Sequence, residues 1–170
     1  EKRFASGAIS FETQEVKFIL DENFVPTGLY VKERKEAHML IEDLMLLANR
    51  RVAFHLSKNF TKVPFVYRVH DTPDIQKLEE FGENAKRFGH KLKLDSPKNI
   101  SAELNRLMND IKGKPEQNIL ESLAIRCMAK AVYTTKNIGH YGLAFEHYTH
   151  FTSPIRRYPD LMVHRILANV

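Results

Sequence analysis

A single cysteine, Cys127, among 170 residues excludes a disulfide within the chain and any cysteine-built metal site. Long apolar runs are missing too: none approaches the roughly 20 residues that a membrane span requires. The opening residues, Glu1-Lys2-Arg3-Phe4-Ala5-Ser6, carry neither the hydrophobic segment nor the cleavage site of a secretory signal. There is no internal repeat and no low-complexity stretch. Together these absences lead us to expect a cytoplasmic protein with no membrane partner, and a chain of this length is expected to form one domain.

What is present is an excess of positive charge, 26 Lys and Arg against 21 Asp and Glu, for a formal net charge of +5. A basic excess favours polyanionic partners, by raising encounter rates and by releasing counterions. A solvated surface with no such partner would give the same count, so charge alone does not choose between them.

Periodicity predicts an α+β fold, a small antiparallel sheet followed by several helices. Residues Gly7 to Phe11, Glu15 to Leu20 and Thr27 to Lys32 read as strands, with a turn at Asp21-Glu22-Asn23. From Glu33 to Lys58 the period becomes helical: Ala37, Leu40, Ile41, Leu44, Leu47, Ala48 and Ala53 recur with no Gly or Pro between them, over about 40 Å. Phe65 to Val69 reads as a strand. Thr72-Pro73 then reads as a helix start, and Ile75, Leu78, Phe81, Ala85 and Phe88 mark that helix's apolar face up to a stop at Gly89. Leu104, Leu107, Met108 and Ile111 mark another face, closed by Gly113. Pro115 opens the next helix, with Ile119, Leu120, Leu123, Cys127 and Met128 on one side. Ala131 to Thr134 and Leu143 to Phe145 look extended, with turns at Gly139 and Gly142. After Ser153-Pro154 a short turn is expected, then a helix from Pro159 to the last residue.

The densest polar cluster is Tyr148-Thr149-His150-Phe151-Thr152-Ser153-Pro154-Ile155-Arg156-Arg157-Tyr158-Pro159-Asp160. Ser153 is placed to cap a helix, and the free N–H groups of a helix start favour an anion. Two arginines in a first helical turn oppose the helix dipole, so something negative should offset them. A phosphate fits, because a guanidinium fork matches its oxygens in a bidentate way. The plainer alternative is that Arg156 and Arg157 pair with local acids such as Asp160 and Glu146. Glu146, His147 and His150 invite a metal site, but the chain there favours an extended form and the ligand count is short, so no metal ligand is assigned. His164 and Arg165 are expected to brace their helix.

The run His150-Phe151-Thr152-Ser153-Pro154-Ile155-Arg156-Arg157-Tyr158-Pro159-Asp160-Leu161, followed by His164-Arg165, closely resembles the hallmark segment of the ribonuclease II and ribonuclease R family. Two further blocks agree: Glu33-Arg34-Lys35-Glu36-Ala37-His38 leading into Leu40-Ile41-Glu42-Asp43-Leu44-Met45-Leu46-Leu47-Ala48-Asn49, and Asn137-Ile138-Gly139-His140-Tyr141-Gly142-Leu143-Ala144. The resemblance covers nearly the whole chain, and Tyr158-Pro159 points to the ribonuclease R branch. It implies a partial RNB catalytic domain over residues 1–170, and a processive, Mg²⁺-dependent hydrolysis that releases nucleoside 5′-monophosphates from the 3′ end of single-stranded RNA. By the same resemblance, Arg156 stands at the active-site arginine that contacts the phosphate under attack. Arg157, Thr152 and Ser153 would hold neighbouring phosphates, with Tyr158 beside them. Glu42 would take a ribose hydroxyl, and Phe11 would stack on a base. Without the resemblance, Phe11 reads as sheet core, and Glu42 as a partner of His38 or Lys35.

The chain departs from the family in one respect that matters for chemistry. The clustered aspartates that hold the family's Mg²⁺ would lie upstream and have no counterpart here, since Asp21-Glu22, Glu42-Asp43, Asp71, Asp74 and Glu79-Glu80 do not form a converging set. The OB-fold domains that flank the family's catalytic domain are likewise expected to lie outside this stretch of sequence. The expectation is therefore a piece of an exoribonuclease that is inactive by itself, or, as the alternative, a non-catalytic RNA-binding module. Strand edges made for missing partners would favour self-association of the piece.

Overall fold

The computed structural model describes residues 7–9, 16–32, 35–94 and 97–170. Phe11, Glu33 and Arg34 lie outside the described residues; of the first expected strand, Gly7, Ala8 and Ile9 are described and form no strand, and Ser10 lies outside with Phe11. The first element among the described residues is an antiparallel hairpin of β1 (Val16–Leu20) and β2 (Pro26–Val31), with Val16 opposite Val31. The Asp21 carboxylate closes the turn by accepting the Asn23 and Val25 N–H groups at 2.8 and 2.9 Å. The expected long helix follows as α1 (Glu36–Asn59), with Glu36 in its first turn and Lys58 in its last, both favourable to the helix dipole.

The apolar stripe of α1 is not used as its period suggests. Every residue from 16 to 32 and from 35 to 44 is exposed, including Leu40, Ile41 and Leu44. Burial on α1 starts only at Asn49 and continues with Ala53 and Leu56. There β3 (Tyr67–Val69), Phe65 and Val163 complete a small core, with Val52, Phe60, Phe151, Ile166 and Leu167 at its margin.

The larger core lies among three helices, α2 (Ile75–Arg87), α3 (Pro97–Ile111) and α4 (Gln117–Cys127). Leu78, Phe81 and Ala85 of α2 meet Leu104, Leu107, Met108 and Ile111 of α3, and Leu120, Ala124 and Cys127 of α4. Full burial of side chains such as Leu104 and Ile111 contributes about 1.5–3 kcal/mol each. The ends of the expected stripes stay outside: Ile75, Phe88 and Ile119 are exposed. The start of α2 also differs from the sequence expectation. Its cap is Asp74, whose carboxylate accepts the Gln76 and Lys77 N–H groups at 3.0 and 3.3 Å, while Asp71 holds the Thr72 N–H at 2.7 Å.

Strand β4 (Val132–Thr134) pairs antiparallel with β3, so the described sheet is two separate two-stranded units. Of residues 143–145, expected to be extended, Leu143 ends a single 3₁₀ turn at Tyr141–Leu143 and Ala144 takes the left-handed region at φ 54°, while Phe145 forms an antiparallel bridge with His140. Two histidines impose that shape. The Gly142 N–H donates to His70 Nδ1 at 3.0 Å, and the Leu143 N–H donates to His140 Nδ1 at 3.3 Å. Gly139 takes φ 81°, and a Cβ there would meet the Phe145 carbonyl oxygen at 3.2 Å, so glycine is required. The chain closes with α5 (Tyr158–Ala168).

Candidate nucleic-acid interface

The segment from Tyr148 to Asp160 crosses from the small core to the start of α5, and two buried polar side chains hold it. Asn49, on α1, accepts the N–H groups of Phe151 at 2.9 Å and Thr152 at 3.2 Å through Oδ1, and its Nδ2 donates to the Tyr148 hydroxyl at 3.2 Å. Asp160, fully buried in the first turn of α5, accepts the next N–H, that of Ser153, at 2.8 Å. Three consecutive backbone N–H groups are thus captured by side chains from two helices. The carbonyl of Phe151 accepts from His164 Nε2 at 2.9 Å, with the two rings stacked 4.0 Å apart, so His164 does brace its helix. Because Asn49 is 4% exposed and spends both ends of its amide, Asn49→Ala would strand buried N–H groups. A loss of about 1–3 kcal/mol in denaturant unfolding is expected.

The two arginines part ways. Arg157 is the N-cap residue of α5, and its Nη2 donates to Asp160 Oδ1 at 2.9 Å in a largely buried ion pair. Arg156 is exposed and makes no side-chain hydrogen bond or ion pair among the described residues. Neither lies within the helix proper, and Ser153 does not cap it. The Ser153 carbonyl accepts the N–H groups of Arg156 and Arg157 at 3.3 and 3.1 Å, closing a tight turn ahead of α5. The positive end of α5 is answered by Asp160, and Arg156 is carried outward by the turn between two exposed apolar neighbours, Ile155 and Tyr158.

Among the described residues, three buried side-chain polar atoms have no protein partner, and all belong to this corner: Thr152 Oγ1, Arg157 Nε and Asp160 Oδ2. Buried polar groups are nearly always paired, so this concentration of unspent donors and acceptors sets the corner apart from the other described residues. Glu42 is exposed on α1 seven residues before Asn49. Seven residues are two helical turns, so Glu42 shares the Asn49 face about 10 Å along the axis. His38 Nδ1 accepts the Lys35 N–H at 3.2 Å, which ties His38 into the cap of α1.

The sequence reading passed over a cluster of rings beside this corner. His150 Nδ1 lies 2.6 Å from the Tyr133 hydroxyl, the Arg68 guanidinium sits 4.6 Å over the Tyr133 ring, and Tyr148 packs edge-on against both His140 and His150. Burial is the main reason that His150 is held down at about 4, and the charges of Arg157, Arg68 and Arg156 add to it against Asp160. His140 is likewise held at about 4, mainly by burial and then by His70, which burial also lowers. Proximity to the arginine motif was the available signal for His150; its contact with Tyr133 was not visible.

These depressed values fix the direction of a pH effect. The folded chain keeps these histidines neutral, whereas the unfolded chain protonates them below their ordinary value of 6.5. Their stabilising contribution is complete above about pH 6.5 and is lost as pH falls toward 4. Urea melts between pH 7 and 4 should show this decline, and His140→Gln should make it shallower.

The geometry presents an exposed arginine between the exposed side chains of Ile155 and Tyr158. Comparison with known proteins places the chain: the RNB domain family model matches residues 1–170, and the chain belongs to this family. Ribonuclease R of Aquifex aeolicus is 44% identical over 98% of the chain, which spans 23% of that protein. Mycoplasma genitalium RNase R in complex with ribose methylated single-stranded RNA superposes with a TM-score of 0.87 at 34% identity, over 98% of this chain and 26% of that one. The same enzyme in complex with double-stranded RNA gives a TM-score of 0.88 at 33% identity, over 98% of this chain and 29% of that one. Yeast Ssd1, a pseudonuclease, gives 0.64 at 28% identity over 79% of the chain and 17% of its own. The chain therefore spans about a quarter of the ribonucleases it resembles.

Nucleases of this family generally use a divalent metal. The described residues do not fit one: no group of three or more His, Cys, Asp or Glu side chains could hold an ion. The acids near helix starts are spent on backbone N–H groups, Asp71 on Thr72 and Asp74 on Gln76 and Lys77. No catalytic step is assigned to a metal on this chain.

Proposed function

We propose that this chain is the RNA-gripping part of a hydrolytic, processive 3′→5′ exoribonuclease of the ribonuclease R type, acting on single-stranded RNA in the cytoplasm and releasing nucleoside 5′-monophosphates. The observation that carries the proposal is the separation of the two arginines: Arg157 is anchored on buried Asp160, and Arg156 is held out with its guanidinium unspent. In the proposed reaction Arg156 donates to the oxygens of the phosphate under attack, where negative charge grows in the transition state. Thr152, Ser153 and Arg157 contact adjoining phosphates. Tyr158 offers a ring to a base, as Phe11 does by resemblance, and Glu42 accepts from a ribose hydroxyl. The Mg²⁺ that this chemistry would use is assigned to acids outside the described residues.

It follows that the isolated 170-residue chain should not hydrolyse RNA. The test incubates the full-length protein and the isolated chain with a 3′-tailed RNA in Mg²⁺ and follows mononucleotide release. Release by the full-length protein alone is expected. Comparable release by the isolated chain would overturn its assignment as an inactive part. A second reading, a non-catalytic RNA-binding module, draws on the absence of a metal-holding acid cluster among the described residues and on the likeness to a pseudonuclease. Tight RNA binding by the full-length protein with no mononucleotide release would decide for it.

A further inference from the structure

His150 carries a feature that its place in the arginine corner does not explain. The hydroxyl of Tyr133 has no other partner among the described residues and lies 2.6 Å from His150 Nδ1. With the phenol as the donor in that contact, Nδ1 accepts and the ring proton sits on Nε2. His150 Nε2 has no protein partner among the described residues, yet it is not one of the buried unpartnered atoms. It therefore opens to solvent, although the residue is half-buried. The Arg68 guanidinium over the Tyr133 ring keeps that ring in place from the β3 side. The charged groups acting on the imidazole are Arg157, Arg68 and Arg156, with Asp160 alone opposing them. A neutral ring with a solvent-facing N–H in a field dominated by cations is suited to an anionic acceptor.

We propose that His150 is a neutral hydrogen-bond donor, through Nε2, to a phosphodiester oxygen of the RNA strand, with Tyr133 as the residue that fixes its tautomer. The proposal rests on the assignment of the arginine corner to RNA and adds a contact of a different kind. An arginine that meets a phosphate releases a counterion and steepens the salt dependence of binding, whereas a neutral donor adds affinity without doing so. The depressed proton affinity of the ring keeps it neutral across the ordinary pH range.

The test measures affinity of the full-length protein for a short single-stranded oligouridylate in EDTA, by fluorescence anisotropy across a series of salt concentrations. His150→Phe, which keeps a ring but no N–H, should weaken binding about tenfold at every salt concentration. The slope of log affinity against log salt should stay at the wild-type value. Tyr133→Phe should weaken binding by a smaller factor, again at constant slope; it leaves His150 in place and so remains informative should His150→Phe fail to fold. Unchanged affinity in both variants overturns the proposal. A slope shallower by about one unit in His150→Phe also overturns it, since His150 would then act as a cation. Wild-type binding that does not depend on salt would instead remove the arginine assignment on which the proposal rests.

Discussion

Arg156→Ala in the full-length protein is expected to slow RNA hydrolysis by about 10²–10³-fold with most of the RNA affinity kept. The guanidinium is exposed and has no ion-pair or hydrogen-bond partner among the described residues, so its removal leaves no buried group stranded and should not unfold the chain. The backbone that presents it is fixed by other residues: Asn49 and Asp160 hold the N–H groups of residues 151–153, and the Ser153 carbonyl holds those of 156 and 157. An interaction made only in the transition state lowers kcat and kcat/KM together, and single-turnover kinetics separate that from weaker binding. Unchanged turnover would sink the assigned role.

Asp160→Ala should act in the opposite way, through stability. This carboxylate is fully buried and accepts from both the Ser153 N–H and Arg157 Nη2. Its loss leaves a largely buried guanidinium without its counter-charge, and breaking such a pair from one side typically costs about 3–5 kcal/mol. Urea unfolding monitored by circular dichroism measures it directly. A loss below about 1 kcal/mol would mean that the corner closes without Asp160. Asp160→Asn keeps an oxygen for Ser153 but no charge for Arg157, so it should fall between wild type and alanine.

The helices of the larger core were legible because their signal is local. Leu104, Leu107, Met108 and Ile111 fall on one face of any helix that contains them, and all four are buried against α2 and α4. The same logic overreached on α1, where Leu40, Ile41 and Leu44 have the right spacing but are exposed. Periodicity states which residues share a face and not whether another part of the chain covers it. The cap of α2 was misplaced by two residues, since Thr72 and Asp74 are both competent caps and Asp71 had already engaged Thr72.

What the sequence determined alone is the motif itself: a run from His150 to Asp160 so specific in its order of Thr, Ser, Pro and Arg that the family could be read from it. Which arginine is anchored and which is presented, and that Asn49 and Tyr133 belong to the site, only the tertiary structure decided. Asn49 meets Phe151 across 102 positions of sequence, and Tyr133 meets His150 across 17. The spacing of residues along a chain fixes the faces of its helices, but contacts such as these exist only after distant segments have packed and set the direction of each side chain.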